Sequence, residues 1–196
     1  MAASSARRDR AGGQLLRVRA VIAPCRAGAQ FSARWPVGAV SRLDEFANGT
    51  SFHRLLWDDA QFLQNEKIKL VADDKIRRVI LCTGKVYYDL YEEREKRGID
   101  DIYLLRVEQL YPFPTKALVM ELGRFKQAEI VWCQEEPRNM GAWHFVEHYI
   151  EWVLNNIEAK QRRPRYATRP ASAATAVGQM SKHQAQLKQL LDEALG

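Results

Sequence analysis

Between Val79 and Trp143 three short apolar runs, VILC, IYLLRV and EIVWC, each lead straight into a turn and then into a segment of helical period. A strand that is apolar on both faces has to be covered on both. A strand followed by a helix returns to pair in parallel, so this rhythm commits the chain to a parallel α/β sheet. Strands are expected at residues 77–81, 102–107 and 129–133, with a short fourth at 165–168. Helices are expected at 86–97 and 141–157. Another should open at Thr115 after the extended Tyr111-Pro112-Phe113-Pro114 corner, and a closing one at a Ser181/Gln184 capping box. The 86–97 helix has the best-marked ends, with Glu92/Lys96 and Glu93/Arg97 four apart in the favourable order and Gly98 as the stop. Inner stripes fall on Leu118, Leu122 and Phe125, on Trp143, Val146, Ile150, Val153, Leu154 and Ile157, and on Leu187, Leu190, Leu191 and Leu195.

The net charge of +6 on 196 residues suggests a basic protein until it is divided by position. Residues 1–40 hold seven Arg and one Asp, while the other 156 residues hold 23 basic and 23 acidic side chains. The excess belongs to an arm, and the body offers no compositional case for nucleic-acid binding. The expected organisation is an Arg-rich, disordered arm over 1–40, a connector over 41–76 and an α/β domain over 77–196. The arm is acid-poor, as organellar transit peptides are, yet translation from a truncated or misread gene start gives the same composition and is the preferred reading. In the connector, Asn48-Gly49 signals a turn, and short strands are expected within 51–57 and 68–71.

Cys25, Cys82 and Cys133 are an odd set, and the last two lie inside strand runs, where a thiol packs as a small hydrophobe. A reducing compartment is expected. No apolar run approaches the roughly 20 residues that cross a bilayer, and no membrane partner is expected.

Several residues invite a chemical reading. Gly84-Lys85 stands where a strand hands over to a helix, a place that favours anions, although a plain turn explains one glycine as well. Lys85, Arg106 and Arg169 fall at strand ends and are expected to converge on one rim as an anion site. Glu135-Glu136 follow a strand at the sheet end where ligands bind, and a favourable place near the next helix start explains them equally. His144, Glu147 and His148 spell H-x-x-E-H, the inverted zinc-hydrolase spacing. They lie opposite the apolar stripe of their helix, and Glu151, Glu158, His183, Asp192 and Glu193 offer no supporting motif for a third ligand. No metal site is expected.

Two phrases exceed what any generic strand or helix requires: RVEQLYPFP (Arg106 to Pro114) and WCQEEPRNMGAW (Trp132 to Trp143). With VILCTGKVYYDLYEEREKRGIDDIYLL before them and RYATRPASAATAVGQMSKH after, they resemble the C-terminal end of 2-oxoglutarate dehydrogenase, its thiamine-diphosphate-dependent decarboxylase component. The pyruvate and branched-chain enzymes end in a related module, but these phrases are more similar to the 2-oxoglutarate group. The likeness runs from about Val40 to Gly196 and leaves the arm outside it.

The resemblance implies a three-layer αβα sandwich around a mostly parallel, mixed five-stranded sheet. In the family, 2-oxoglutarate is decarboxylated on thiamine diphosphate with magnesium, and the succinyl group passes to a lipoyl group of the partner succinyltransferase in the tricarboxylic acid cycle. The family binds its cofactor through a Gly-Asp-Gly segment that this sequence lacks, so no catalytic or thiamine-binding residue is expected here and the chain alone should be inactive. The expected roles are homodimer assembly with the remaining domains and an acyl-CoA contact at Lys85, Arg106 and Arg169. The expected compartment is the bacterial cytoplasm, or the mitochondrial matrix. The alternative is a stand-alone module that binds acyl-CoA or a phosphate metabolite. Tyr87, Tyr88, Tyr111 and Phe113 are expected to form an exposed apolar patch where other domains would pack.

Overall fold

The computed structural model describes residues 52–61 and 68–196. The arm, the Asn48-Gly49 turn and Cys25 lie outside the described residues. Residues His53–Gly196 form one compact unit, and it contains the whole described sheet.

Its elements run β1 (Leu55–Leu56), β2 (Arg78–Cys82), α1 (Val86–Arg97), β3 (Ile102–Val107), α2 (Thr115–Leu122), β4 (Glu129–Pro137), α3 (Trp143–Asn156), β5 (Arg165–Arg169) and α4 (Met180–Leu195). The sheet order is β1-β3-β2-β4-β5, parallel throughout except for β1, which pairs antiparallel at the β3 edge. This is the mixed five-stranded sheet of a three-layer sandwich. All of β2 and β3 is buried, as strands covered on both faces require.

Side-chain alternation divides the core in two. On one face Val79, Leu81, Tyr103, Leu105 and Trp132 pack with α2 and α3; on the other Ile80, Cys82, Leu104, Val131 and Cys133 pack with α1 and α4. Cys82 and Cys133 face each other in register as free, fully buried thiols. Burial pushes the Cys82 thiol up to about 12, and it raises Cys133 as well. Both are inert packing residues, as their place in strand runs implies.

Helix α1 has the bounds its sequence marks, and Gly98 closes it in the left-handed region at φ 65. Lys96 meets Glu93 three residues back, at 3.4 Å, while Arg97 meets the same carboxylate as expected. Two expected caps do not form. α2 and α4 are preceded by Pro114 and Gln179, and neither has a side-chain capping bond, so Thr115 and Ser181 lie just inside their helices. Residues 68–71 make no strand; there Val71 donates its N–H to the carbonyl of Asp100 instead.

The connector joins the domain closely. Asp58, fully buried, receives the Arg94 guanidinium of α1 in a two-pronged bond, one arm at 2.8 Å, and also accepts from the N–H groups of Leu104 and Ala60. Arg94 in turn donates to the Ile102 carbonyl. The two-residue strand β1 thereby comes anchored at its far end.

Candidate functional site

The phrase WCQEEPRNMGAW has a structural explanation. Gln134 is buried at the end of β4, where its Oε1 accepts from Trp132 Nε1 at 3.0 Å and from the Trp143 backbone at 2.9 Å. Its Nε2 donates to the carbonyls of Met140 and Pro137. One amide therefore holds a strand end, a turn and the first residue of α3 together. Gly141 closes the turn at φ 70, and a Cβ there would stand 2.7 Å from Gln134 Nε2, so this position accepts only glycine. The other phrase places Tyr111 and Pro112 outward and Phe113 inward, where it stacks on Tyr149 of α3 at 5.1 Å.

The four aromatic residues expected in one exposed patch are divided. Tyr87 and Phe113 are buried in opposite core layers, Tyr88 is half-buried, and Tyr111 is 79% exposed. The exposed aromatic surface lies on α3, where Phe145 and Trp152 face outward and Tyr111, Phe145 and Tyr149 form a chain of ring contacts at 6.4 and 5.6 Å.

The chemical rim is at the C-terminal ends of the parallel strands. After β4 the chain turns to the α2/α3 face, and after β5 it turns to the α1/α4 face, so a crevice opens between two diverging connections. A bulge lies at the same place. Cys133 pairs with Ala167 and Pro137 with Arg169, so three residues of β4, Gln134, Glu135 and Glu136, stand against the single Thr168. A groove of about 460 Å³ occupies the crevice, lined by Glu135, Glu136, Arg169, Lys182, His183 and the small residues of the 170–177 loop.

The three cations expected at one site are brought only partly together. Lys85 Nζ is 2.7 Å from Asp89 and 3.8 Å from Glu135 Oε1, and Arg169 Nη2 is 3.6 Å from the same Glu135 oxygen. Arg106 has a setting of its own on β3, two strands from β4 and hence about 10 Å across the sheet. It is 4% exposed, lies 4.2 Å over the Tyr87 ring and meets Glu108 at 3.8 Å. The Glu108 carboxyl is raised above the usual carboxylate range because burial outweighs the pull of Arg106. Arg106 belongs to the seam between α1 and β3; β2 and β4 lie between it and Arg169 on β5, and Lys85, in the turn after β2, pairs with Asp89 and Glu135 instead.

Arg169 is 6% exposed. Its Nη1 is 3.2 Å from His183 Nδ1, while its buried Nε and Nη2 have no hydrogen-bond partner. A guanidinium only donates, so His183 accepts at Nδ1 and carries its own ring hydrogen on Nε2. Lys182 and Gln186 were not legible as site residues, and His183 entered only as a zinc candidate. The available signal was the unbroken small-residue stretch before a basic helix start.

His144 and His148 are exposed on α3, the first 3.6 Å from Glu147 and the second against the Tyr149 ring. Among the described residues no three His, Cys, Asp or Glu side chains are grouped to hold a metal ion. No described helix is long and apolar enough to cross a membrane.

Comparison with known proteins gives a consistent result. A family described as 2-oxoglutarate dehydrogenase C-terminal matches residues 40–195. The chain is 69% identical over 158 residues to the 2-oxoglutarate dehydrogenase E1 component of Brucella anthropi, 68% to that of Brucella ovis and 67% to that of Brucella abortus. Each match covers 81% of this chain and 16% of the relative, so the chain spans about one sixth of the curated proteins it matches. With the family match extending over the whole described sheet and its helices, the chain belongs to the 2-oxoglutarate dehydrogenase C-terminal family.

Proposed function

We propose that this chain supplies the C-terminal domain of the decarboxylating component of a 2-oxoglutarate dehydrogenase complex, and that its role there is assembly. The observation that carries the reading is the set of outward aromatic side chains Tyr111, Phe145 and Trp152 on and beside α3, backed by the half-buried Tyr149, which a domain surrounded by water does not need. The domain proper is residues 77–196 with 41–76 as its connector, and the aromatic row contributes to the homodimer contact. The decarboxylation of 2-oxoglutarate on thiamine diphosphate and magnesium, and succinyl transfer to the lipoyl groups of the partner succinyltransferase, then belong to the rest of the component. The compartment is the bacterial cytoplasm, with the mitochondrial matrix as the alternative.

Ferricyanide-coupled oxidation of 2-oxoglutarate by the full 196-residue chain with added thiamine diphosphate and magnesium tests the division of labour. No turnover and no cofactor binding are expected; clear turnover, or cofactor bound in stoichiometric amount, overturns it. Sedimentation of the Phe145→Ser, Trp152→Ser double variant tests the aromatic row. A larger monomer fraction than the parent supports an assembly face, and an unchanged distribution removes it.

A second reading is an acyl-CoA or phosphate-metabolite contact at the rim through Lys85, Arg106 and Arg169. It is supported by the buried N–H groups of Arg106 and Arg169 that lack acceptors. Calorimetry with acetyl-CoA tests it, and no heat at millimolar ligand removes it.

A further inference from the structure

Three separate features meet in the groove at the end of β5. The Arg169 guanidinium is buried among them with two of its nitrogens, Nε and Nη2, unmatched. The 16-residue helix α4 brings Lys182 and His183 of its first turn to the groove and has no side-chain cap, so the donors ahead of the His183 N–H, which bonds the Gln179 carbonyl, lack the partner that the expected Ser181/Gln184 box would have supplied. The wall opposite is the small-residue loop after Pro170, held to the β4–α3 turn by a reciprocal pair in which Asn139 donates to the Ser172 carbonyl and accepts from its N–H. Small side chains on such a wall leave space for a ligand to approach the backbone. The groove of about 460 Å³ falls within the range of small-molecule sites, roughly 300–1,000 Å³.

Glu135 decides how the groove works. Its Oε1 is 3.6 Å from Arg169 Nη2, close enough to neutralise the guanidinium but too far to accept its hydrogen. The carboxylate thus occupies the neighbourhood of an oxyanion without satisfying the donors. Lys85 Nζ is 3.8 Å from the same oxygen but is already committed to Asp89 at 2.7 Å, so it takes no part in the exchange.

The geometry points to a phosphoryl-binding site in this groove. The ligand is a small phosphorylated metabolite, with Arg169, Lys182 and the first-turn N–H groups of α4 as donors and Glu135 as the group the ligand displaces. The site shares with the second reading above the assumption that the rim takes an anion, but it depends on Lys182 and the α4 start and not on Lys85 or Arg106. A phosphoryl group suits the donors better than a single carboxylate, because it presents three acceptor oxygens to donors arriving from a strand end, a helix start and a lysine.

The test is a titration of the full chain with inorganic pyrophosphate, adenosine diphosphate, acetyl-CoA and succinate, read by calorimetry and by the amide resonances of Lys182 and His183. Saturable shifts with at least one phosphorylated ligand are expected. Pyrophosphate alone would assign the free ion, and adenosine diphosphate or acetyl-CoA binding more tightly would assign a nucleotide-borne group. Glu135→Gln should tighten binding by about tenfold, since it removes a like charge beside the ligand. The exposed Lys182→Ala should weaken it about threefold. Lys85→Ala should leave it within about twofold, which separates this site from the three-cation rim. All three substituted residues lie outside the core, so far-ultraviolet circular dichroism should match the parent. No shift with any phosphorylated ligand overturns the assignment, as does succinate binding as tightly as pyrophosphate. Affinity indifferent to both Glu135→Gln and Lys182→Ala overturns it too. Failure of acetyl-CoA with retained pyrophosphate binding removes the acyl-CoA reading and leaves this one standing.

Discussion

The two ends of the same sheet treat arginine in opposite ways. At the end where the parallel strands begin, guanidiniums are matched. Arg78 is 2.7 Å from Glu129 and donates to the Ala194 carbonyl, Arg77 meets Asp101 and the carbonyls of Leu195 and Gly196, and Arg165 meets Glu129. These bonds close the free carbonyls at the C-terminal end of α4, the half of the helix that attracts cations. At the end where the strands finish, Arg106 and Arg169 are as buried as Arg78, whereas Arg77 and Arg165 are exposed, yet three of the N–H-bearing nitrogens of Arg106 and Arg169 have no acceptor. A saturated buried cation holds structure together. One left unsaturated beside a groove, as Arg169 is, carries the desolvation cost of its donors, and the phosphoryl site proposed above would supply the missing acceptors.

Substitutions can break or sharpen that contrast. Asp58→Asn, which leaves Arg94 buried against a neutral partner, should lower stability by about 3–5 kcal/mol in urea unfolding. Arg78→Ala should cost about 2 kcal/mol and speed hydrogen exchange in the last turn of α4, because it removes charge-assisted bonds to Glu129 and Ala194. The Glu129 carboxylate gives a pH-dependent version of the same test. Partial burial works against its charged form, but Arg165 and Arg78 hold its pKa below the usual carboxylate range. A depressed folded-state pKa contributes stability that is complete above the unfolded value, about 4.3, and is lost as pH falls through the folded value. Glu129→Gln should therefore lower stability by about 1 kcal/mol at neutral pH and by nothing measurable once the parent carboxyl is protonated, as urea midpoints from pH 7 down to pH 2 will show.

At the rim the same kind of change should do little. Arg169→Met is expected to move stability by less than about 1 kcal/mol in either direction, since it removes an unsatisfied cation and keeps the packing volume. A loss as large as that of Arg78→Ala would make Arg169 a structural group and end the contrast. Thr115→Ala should be the smallest effect, within about 0.5 kcal/mol by thermal unfolding, because Thr115 makes no capping bond.

Much of the scaffold was legible in the sequence. The bounds of α1 and β3 follow from Gly98 and from an apolar run broken only by Arg106, and the buried stripe of α3 follows from its period. Capping was less legible. Ser181 and Thr115 have the right chemistry, but each residue falls inside its helix, where the hydroxyl cannot reach back to the first donors. The rim was half legible, since strand ends place Lys85, Arg106 and Arg169 at one edge of the sheet. Sequence says nothing of lateral order, however, and β2 between β3 and β4 keeps Arg106 apart. The aromatic row on α3 was missed because period assigns one face to the core and treats the rest as solvated, whatever residues occupy it.

The amino-acid sequence by itself determined the layered α/β class, the inert placement of Cys82 and Cys133, and the family to which the chain belongs, because these rest on local alternation and on long uninterrupted phrases. The tertiary structure alone decided which polar groups are satisfied. Asp58 found Arg94 across 36 positions and Arg78 found Ala194 across 116, while Arg169, at the bulged junction of β4 and β5, was left with donors unmet. Hydrogen-bond satisfaction depends on which strands become neighbours and on where connections diverge, and neither quantity is encoded within a single segment of chain.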